Sequence, residues 1–518
     1  MRKSLLFLLS PLLFLFVFQP VITAQDAVPE NFEEWVQDGL DLWDIPGVAV
    51  TVVKDDEVLY ARGFGVKKLG SNEPVDEHTQ FGIASVSKHM AASSLARLVD
   101  QGLISWNDKV TDILPWFKLS DSYATANVTI DDLLTHRVGV GRMLGNRLQF
   151  MTNRSNEEIL YRMRYLDFEQ PFRSEYVYNN VMYMLAGHIV EEVSGLSWGE
   201  FLKKEFFEPM GMDRTNASIF DLDEDNAAWP HQYIKGEVVE IPRRSWDNAA
   251  PAGGVNTTAI DIAQWMRMQL GEPGIWNGKQ FISRESITTI QTPKVAFSSN
   301  SIVAPQQSYG YGFSIRDYNG ERVLTHGGAT DGFNTFFLLA PGQNLGIMVV
   351  TNVFSSFQQA AVYTILDHHL GTENPNDWNR LYWNNYQERY EAAMERRKEF
   401  EEKRRTDTEP SKSLRNYTGL YHDDLYDKAR VFMEDDGLVV QFWNDETLVA
   451  DLEHWHYDTF RMVWRNPAQR EEFATFRLGI DGYVKGMEVR YTLRPVLLQA
   501  GAYPTDYYRD VFFKKIAQ

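Results

Sequence analysis

The chain has 518 residues, with 51 Lys plus Arg against 71 Asp plus Glu, a net charge of −20, 44% apolar residues and no cysteine. That length predicts two or three domains with ample cores, and the acidity disfavours a nucleic-acid or anionic-membrane partner. Without cysteine, a disulfide framework, a thiolate nucleophile and a lipid-modified N-terminal cysteine are all excluded.

Met1-Arg2-Lys3 and the apolar run Leu5 to Phe18 have the form of a secretory signal, with cleavage expected after Ala24, so residues 1–24 are assigned to it. A retained anchor is the rival reading, but the run is shorter than the roughly 20 residues needed to span hydrocarbon. The expected location is periplasmic or secreted, in a bacterial envelope.

Phe32, Trp35, Val36, Leu40 and Trp43 recur at mostly helical spacing, and Pro46-Gly47 ends that first helix. Val48 to Val53 and Val58 to Phe64 read as a hairpin across Lys54 to Glu57. A helix then opens near Ser85 and closes at Gly102. Short helices and loops follow to about residue 300, among them Ile130 to His136 and Asn180 to Ser194. A second β-rich block covers 309–352. Strands at both ends with helices between predict one antiparallel sheet flanked by helices, an α+β fold with an all-helical subdomain.

From Asn376 to Arg405 the density of Glu, Arg, Lys, Trp and Tyr reads as a solvated connecting helix, with a linker at Thr406 to Ser413. Short aromatic and β-branched runs from 414 to 518 predict a small all-β sandwich or barrel. The expected organisation is an α+β domain at 25–372, a charged helical connector at 373–413 and a β domain at 414–518.

Three stretches carry candidate chemistry. In Ser85-Val86-Ser87-Lys88 the first and last side chains share a helix face, which puts a nucleophile beside a base. The amine serves as that base only if burial and positive field keep it neutral, and the helix N-terminus supplies part of that field. In Tyr178-Asn179-Asn180, just before a helix, the phenol can be aimed at a pocket and Asn180 can hydrogen-bond both a lysine and a substrate amide. His326-Gly327-Gly328-Ala329 lies at the end of a strand, where the glycines admit a close ligand. There the Ala329 N–H could join that of Ser85 as an oxyanion hole.

With Leu133-Leu134-Thr135-His136-Arg137-Val138-Gly139, Pro251-Ala252-Gly253-Gly254 and Phe207-Glu208-Pro209-Met210-Gly211-Met212, these stretches stand in the order of the serine β-lactamase-like hydrolases. The chain resembles their class C branch of β-lactamases, DD-peptidases, D-aminopeptidases and esterases from about residue 30 to 370. The resemblance implies Ser85 as acylated nucleophile, Lys88 and Tyr178 as proton relay, Asn180 as orienting group and His326 on the facing strand. It implies no cofactor and no metal, and a small-molecule or peptide substrate.

One departure bears on substrate. Where the β-lactamases of this branch carry Lys-Thr-Gly, this chain has His326-Gly327-Gly328, without a permanent cation or hydroxyl to hold a carboxylate. Ester or peptide hydrolysis is therefore expected ahead of efficient lactam hydrolysis. β-Lactamase or DD-carboxypeptidase activity is the alternative, and a non-catalytic binding protein for cell-wall fragments is the alternative from another class.

Two further motifs have structural readings. Gly195-Leu196-Ser197-Trp198-Gly199 matches a nucleophile elbow, but a helix precedes it, so Gly195 reads as a C-cap and Ser197 as the next N-cap. His454-Trp455-His456 could present two imidazoles on one strand face, yet no third metal ligand is near. The surrounding stretch resembles the lipocalin-like β domain often appended to these hydrolases.

Overall fold

The structure, a computed structural model, describes residues 27–492 except 150, 151, 153, 235, 300, 444, 467 and 468, together with 508–517. The expected signal segment lies outside the described residues.

After helix α1 (Phe32–Leu42), strands β1 (Gly47–Lys54) and β2 (Glu57–Gly65) form the hairpin. The chain returns to their sheet in β3 (Val295–Ser298), β4 (Gln306–Tyr309), β5 (Ser314–Tyr318), β6 (Glu321–Thr330), β7 (Phe333–Ala340) and β8 (Leu345–Thr351). The order is β2-β1-β8-β7-β6-β5-β4-β3, and every neighbouring pair is antiparallel. N- and C-terminal strands of the unit thus meet at β1 and β8, where Val50 lies opposite Val349.

Both faces of this sheet are covered, so its central strands are nearly continuous apolar runs. Val48, Val50 and Val52 with Phe336, Leu338, Ile347 and Val349 pack under α1 and the helix α4 (Phe357–Leu370). Ala49, Val53, Phe337, Leu339, Met348 and Val350 face the other way, into a core shared with α2 (Ser87–Asp100) and α3 (Asn180–Ser194). Helix α2 is small and apolar on most sides because it runs through that core.

The Gly-rich run differs from expectation. Rather than lying past a strand end, the run is part of β6, which continues through Gly327, Gly328 and Ala329 to Thr330, paired residue by residue with β7. Glycine weakens a strand, but here the ladder to β7 holds the segment extended while the missing side chains admit a neighbouring backbone.

The charged stretch forms α5 (Trp378–Glu402). It is not wholly solvated, because Trp378, Tyr382 and Ala393 are buried. Trp43 donates its indole N–H to Asn379 at 2.7 Å, tying α5 to the end of α1.

Eight strands then close a barrel in chain order, from β9 (Gly419–Asp423) through β10 (Asp427–Glu434), β11 (Gly437–Phe442), β12 (Val449–His456), β13 (Thr459–Trp464), β14 (Glu472–Leu478) and β15 (Val484–Thr492) to β16 (Tyr508–Ala517). Its interior is filled by rings, with Tyr417, Tyr421, Phe460 and Phe476 in one cluster and Phe442, Trp464, Tyr491 and Phe513 in another.

The elbow-like motif folds as capping. Gly195 ends α3 at φ 72°, and Ser197 forms a capping box with Glu200. In β12, a shift in register between His454 and His456 breaks simple alternation, and Trp455 stacks on Phe400 of α5.

Candidate active site

Ser85 occupies a single turn, Ala84–Val86, that feeds α2. The turn is pinned from outside. Ser87 Oγ donates to the Ala84 carbonyl at 2.7 Å and accepts the Val255 N–H at 3.1 Å, while Ile83 N–H donates to the Val255 carbonyl at 2.9 Å. These bonds hold Ala84 at φ 52°, a left-handed conformation that a residue with a Cβ rarely adopts. Non-glycine strain of this kind persists only where the surroundings over-determine it.

Two polar side-chain atoms converge on Ser85 Oγ. Lys88 Nζ lies 3.1 Å from Ser85 Oγ, and the Tyr178 hydroxyl donates to the same oxygen at 3.0 Å. Lys88 also donates to the Ala252 carbonyl at 2.6 Å. Its side chain is 0% exposed, and its nitrogen stands 5.0 Å from the Tyr178 ring centre and 5.5 Å from that of Tyr183. Burial holds the amine well below its ordinary pKa. Ser85 itself is only partly buried.

Tyr178 is placed by the loop before α3. Asn179 caps that helix by accepting the Val181 N–H at 2.9 Å. The same side chain donates to the carbonyls of Gly141 and Leu144 at 3.0 and 2.9 Å, and Met143 N–H donates to the Tyr178 carbonyl at 3.2 Å. Below the loop, His136 Nδ1 accepts the Asn179 N–H at 3.2 Å, with its ring centre 4.5 Å from that of Tyr178.

Asn180 differs from expectation. Among the described residues its amide donates to Asn146 Oδ1 at 3.2 Å and makes no bond to Lys88, which turns to Ala252 instead. Its Oδ1 is buried without a hydrogen-bond partner among the described atoms.

His326 lies on β6 across from Tyr178, with ring centres 6.5 Å apart. Nδ1 is 2.8 Å from the Gly327 carbonyl, which can only accept, so the proton sits on Nδ1 and Nε2 accepts from the Tyr309 hydroxyl at 3.1 Å. Burial, with Lys88 nearby, lowers its pKa to about 3, so the ring is neutral. Gly327 and Ala329 are exposed, whereas Gly328 is buried against the Ser85 turn. A Cβ at Gly328 would lie 2.3 Å from the Ile83 carbonyl oxygen and 3.0 Å from the Ala84 Cβ. Beside the turn a pocket opens between Gly82, Trp246, Gly254, Asn256 and Phe333, with the Arg244–Asp331 ion pair in its wall.

Ala252, His136, Tyr309, Asn146 and Ser87 were not singled out individually from sequence. Ala252 and His136 belong to the framing stretches that carried the resemblance. For Tyr309 and Asn146 only spatial contact reveals the role.

The Beta-lactamase family model matches residues 32–370, and a model described as a domain of unknown function, DUF3471, matches residues 403–500. The chain belongs to the beta-lactamase family. The unguisins hydrolase ungD' of Aspergillus campestris is 26% identical over 498 residues, covering 88% of each chain. Among solved structures, the octameric penicillin-binding protein homologue from Pyrococcus abyssi aligns with TM-score 0.59 and 22% identity over 93% of this chain and 99% of that one. EstCE1, a hydrolase with promiscuous acyltransferase activity, aligns at 0.58 and 19% over 67% and 99%. These structural likenesses define the fold: a β-lactamase-like sheet and helices, followed by a closed β barrel.

Proposed function

We propose that the protein is an exported serine hydrolase that cleaves ester or amide bonds through an acyl-enzyme on Ser85. The observation that carries this reading is the convergence of the Lys88 amine and the Tyr178 phenol on one half-buried serine oxygen. A neutral Lys88 donates to Ala252 and keeps its lone pair for the Ser85 proton during attack. The tetrahedral oxyanion is received by the Ser85 and Ala329 N–H groups. Tyr178 or Lys88 then protonates the leaving group, Lys88 directly with the proton taken from Ser85 or Tyr178 with its own phenolic proton, which that of Lys88 replaces, and the same pair activates water to release the acyl group.

Substrate preference follows from β6. A neutral His326 bonded to Tyr309 offers no fixed cation for a carboxylate, so esters and peptides without that anchor are the favoured class over penicillins. The names of the relatives, an unguisins hydrolase and the hydrolase EstCE1, support hydrolysis in general. We further assign residues 1–24 to a cleaved signal, 25–372 to the hydrolase unit, 373–413 to a connector and 414–518 to the barrel unit. A panel of p-nitrophenyl esters, D-amino acid amides and cephalosporins tests the preference. Ester or amide turnover should exceed lactam turnover, and lactam hydrolysis faster than any ester would contradict it.

A further inference from the structure

The segment 141–149 has two faces with different partners. Its inner face holds the site: Gly141 and Leu144 carbonyls accept from Asn179, Met143 N–H donates to Tyr178, and Asn146 accepts from Asn180. Gly145, at φ 87°, brings the backbone so near α3 that a Cβ there would lie 2.7 Å from Val181 Cγ2. Every residue of the loop Tyr178 to Asn180 is therefore bonded to this one segment.

Its outer face enters the barrel. Arg147, one residue after Asn146, reaches the end of the barrel formed by the close of β13, the start of β14 and the close of β15. There it pairs with Glu472, donates to Gln469 Oε1 at 2.8 Å, and lies 5.7 and 5.3 Å from the ring centres of Trp464 and Tyr491. The side chains of Arg147 and Glu472 are only 5% and 0% exposed. A charge pair this deeply withdrawn from water contributes little net stability, but it holds one geometry tightly because either charge alone would be costly.

Arg147 is not the only residue that joins the hydrolase unit to the barrel among the described residues. Arg154 donates to the Tyr426 carbonyl at 2.9 Å, and Arg162 to those of Asp424 and Leu425 at 2.8 and 3.0 Å. Arg147 is set apart by its neighbour Asn146, which touches the site.

We infer that Arg147 and Glu472 form a latch through which the barrel fixes the position of Tyr178 and Asn180, making Arg147 a positioning residue for acyl transfer. The inference rests on the proposed role of Tyr178, and it makes the barrel part of the catalytic apparatus.

The test uses the full chain with Glu472→Gln, with Glu472→Asp, and with the double variant Arg147→Met/Glu472→Gln. The double variant removes both charges, so the barrel stays folded without an uncompensated ion. Amide hydrogen exchange at Met143 and Asn179, and the rate of labelling by a fluorophosphonate, are measured for each. Exchange at both amides should rise at least tenfold in the double variant while the melting temperature holds, and labelling should slow at least tenfold. Glu472→Asp should recover part of both. Unchanged exchange at Asn179, or faster exchange with an unchanged labelling rate, overturns the latch. Should the parent protein fail to label at all, the serine-hydrolase reading falls, and unchanged or raised exchange still decides whether the latch orders the loop.

Discussion

Gly328 and Ile83 meet backbone to backbone: a Cβ on Gly328 would fall 2.3 Å from the Ile83 carbonyl oxygen. Ile83 stands two residues before Ser85, so this contact sets the distance between β6 and the proposed nucleophile. Gly328→Ala must push the strand or the turn away, and a displacement near 1 Å can cost about 10²-fold in rate. We expect kcat/KM on p-nitrophenyl acetate to fall by ~10²-fold and the melting temperature to fall as well, because the clash is with backbone. Full activity in that variant would show that the contact does not set the site.

Lys88 acts as a base only when neutral. Because burial lowers its pKa from 10.5, kcat/KM should rise with pH through the lowered value and level off well below pH 10.5. A profile still climbing at pH 10 would contradict this. The unfolded chain binds the Lys88 proton over a wider range than the folded one, so burial of this amine costs stability most at low pH, and the cost fades as pH rises toward 10.5. Lys88→Met should accordingly raise the melting temperature at pH 7 while abolishing turnover; calorimetry and ester assays report the two effects.

His326 works on the acid side. Its folded pKa of about 3 lies below the ordinary 6.5, so the stability it contributes is fully present above pH 6.5 and is lost as pH falls toward 3. The shift corresponds to roughly 5 kcal/mol across that window for this one ring. Urea denaturation from pH 7 to 4 should show a shallower decline for His326→Gln than for the parent. An identical decline would mean that the ring is protonated without penalty.

Much of this architecture was legible in the chain. The hairpin Val48 to Phe64, the helix Asn180 to Ser194 and the closing β-rich block follow from alternation, helical period and turn chemistry, all local in sequence. The pairing of Ser85 with Lys88 was equally local, being fixed by helical spacing. The course of β6 was not, because consecutive glycines carry no strand propensity and only the ladder to β7 holds them extended. The Asn180–Asn146 bond was also hidden, since it joins residues 34 apart through a loop whose path sequence does not fix. Buried faces of α5 escaped for a different reason: Trp378 and Tyr382 are diluted among charged neighbours, so the helix reads as solvated although one side packs.

Intact-mass spectrometry after exposure to a fluorophosphonate tests the central claim most directly. Parent protein should gain one adduct, mapped by peptide sequencing to Ser85, and Ser85→Ala should gain none while losing at least ~10³-fold in ester turnover. An adduct on another serine, or a Ser85→Ala variant that keeps its activity, would contradict the account.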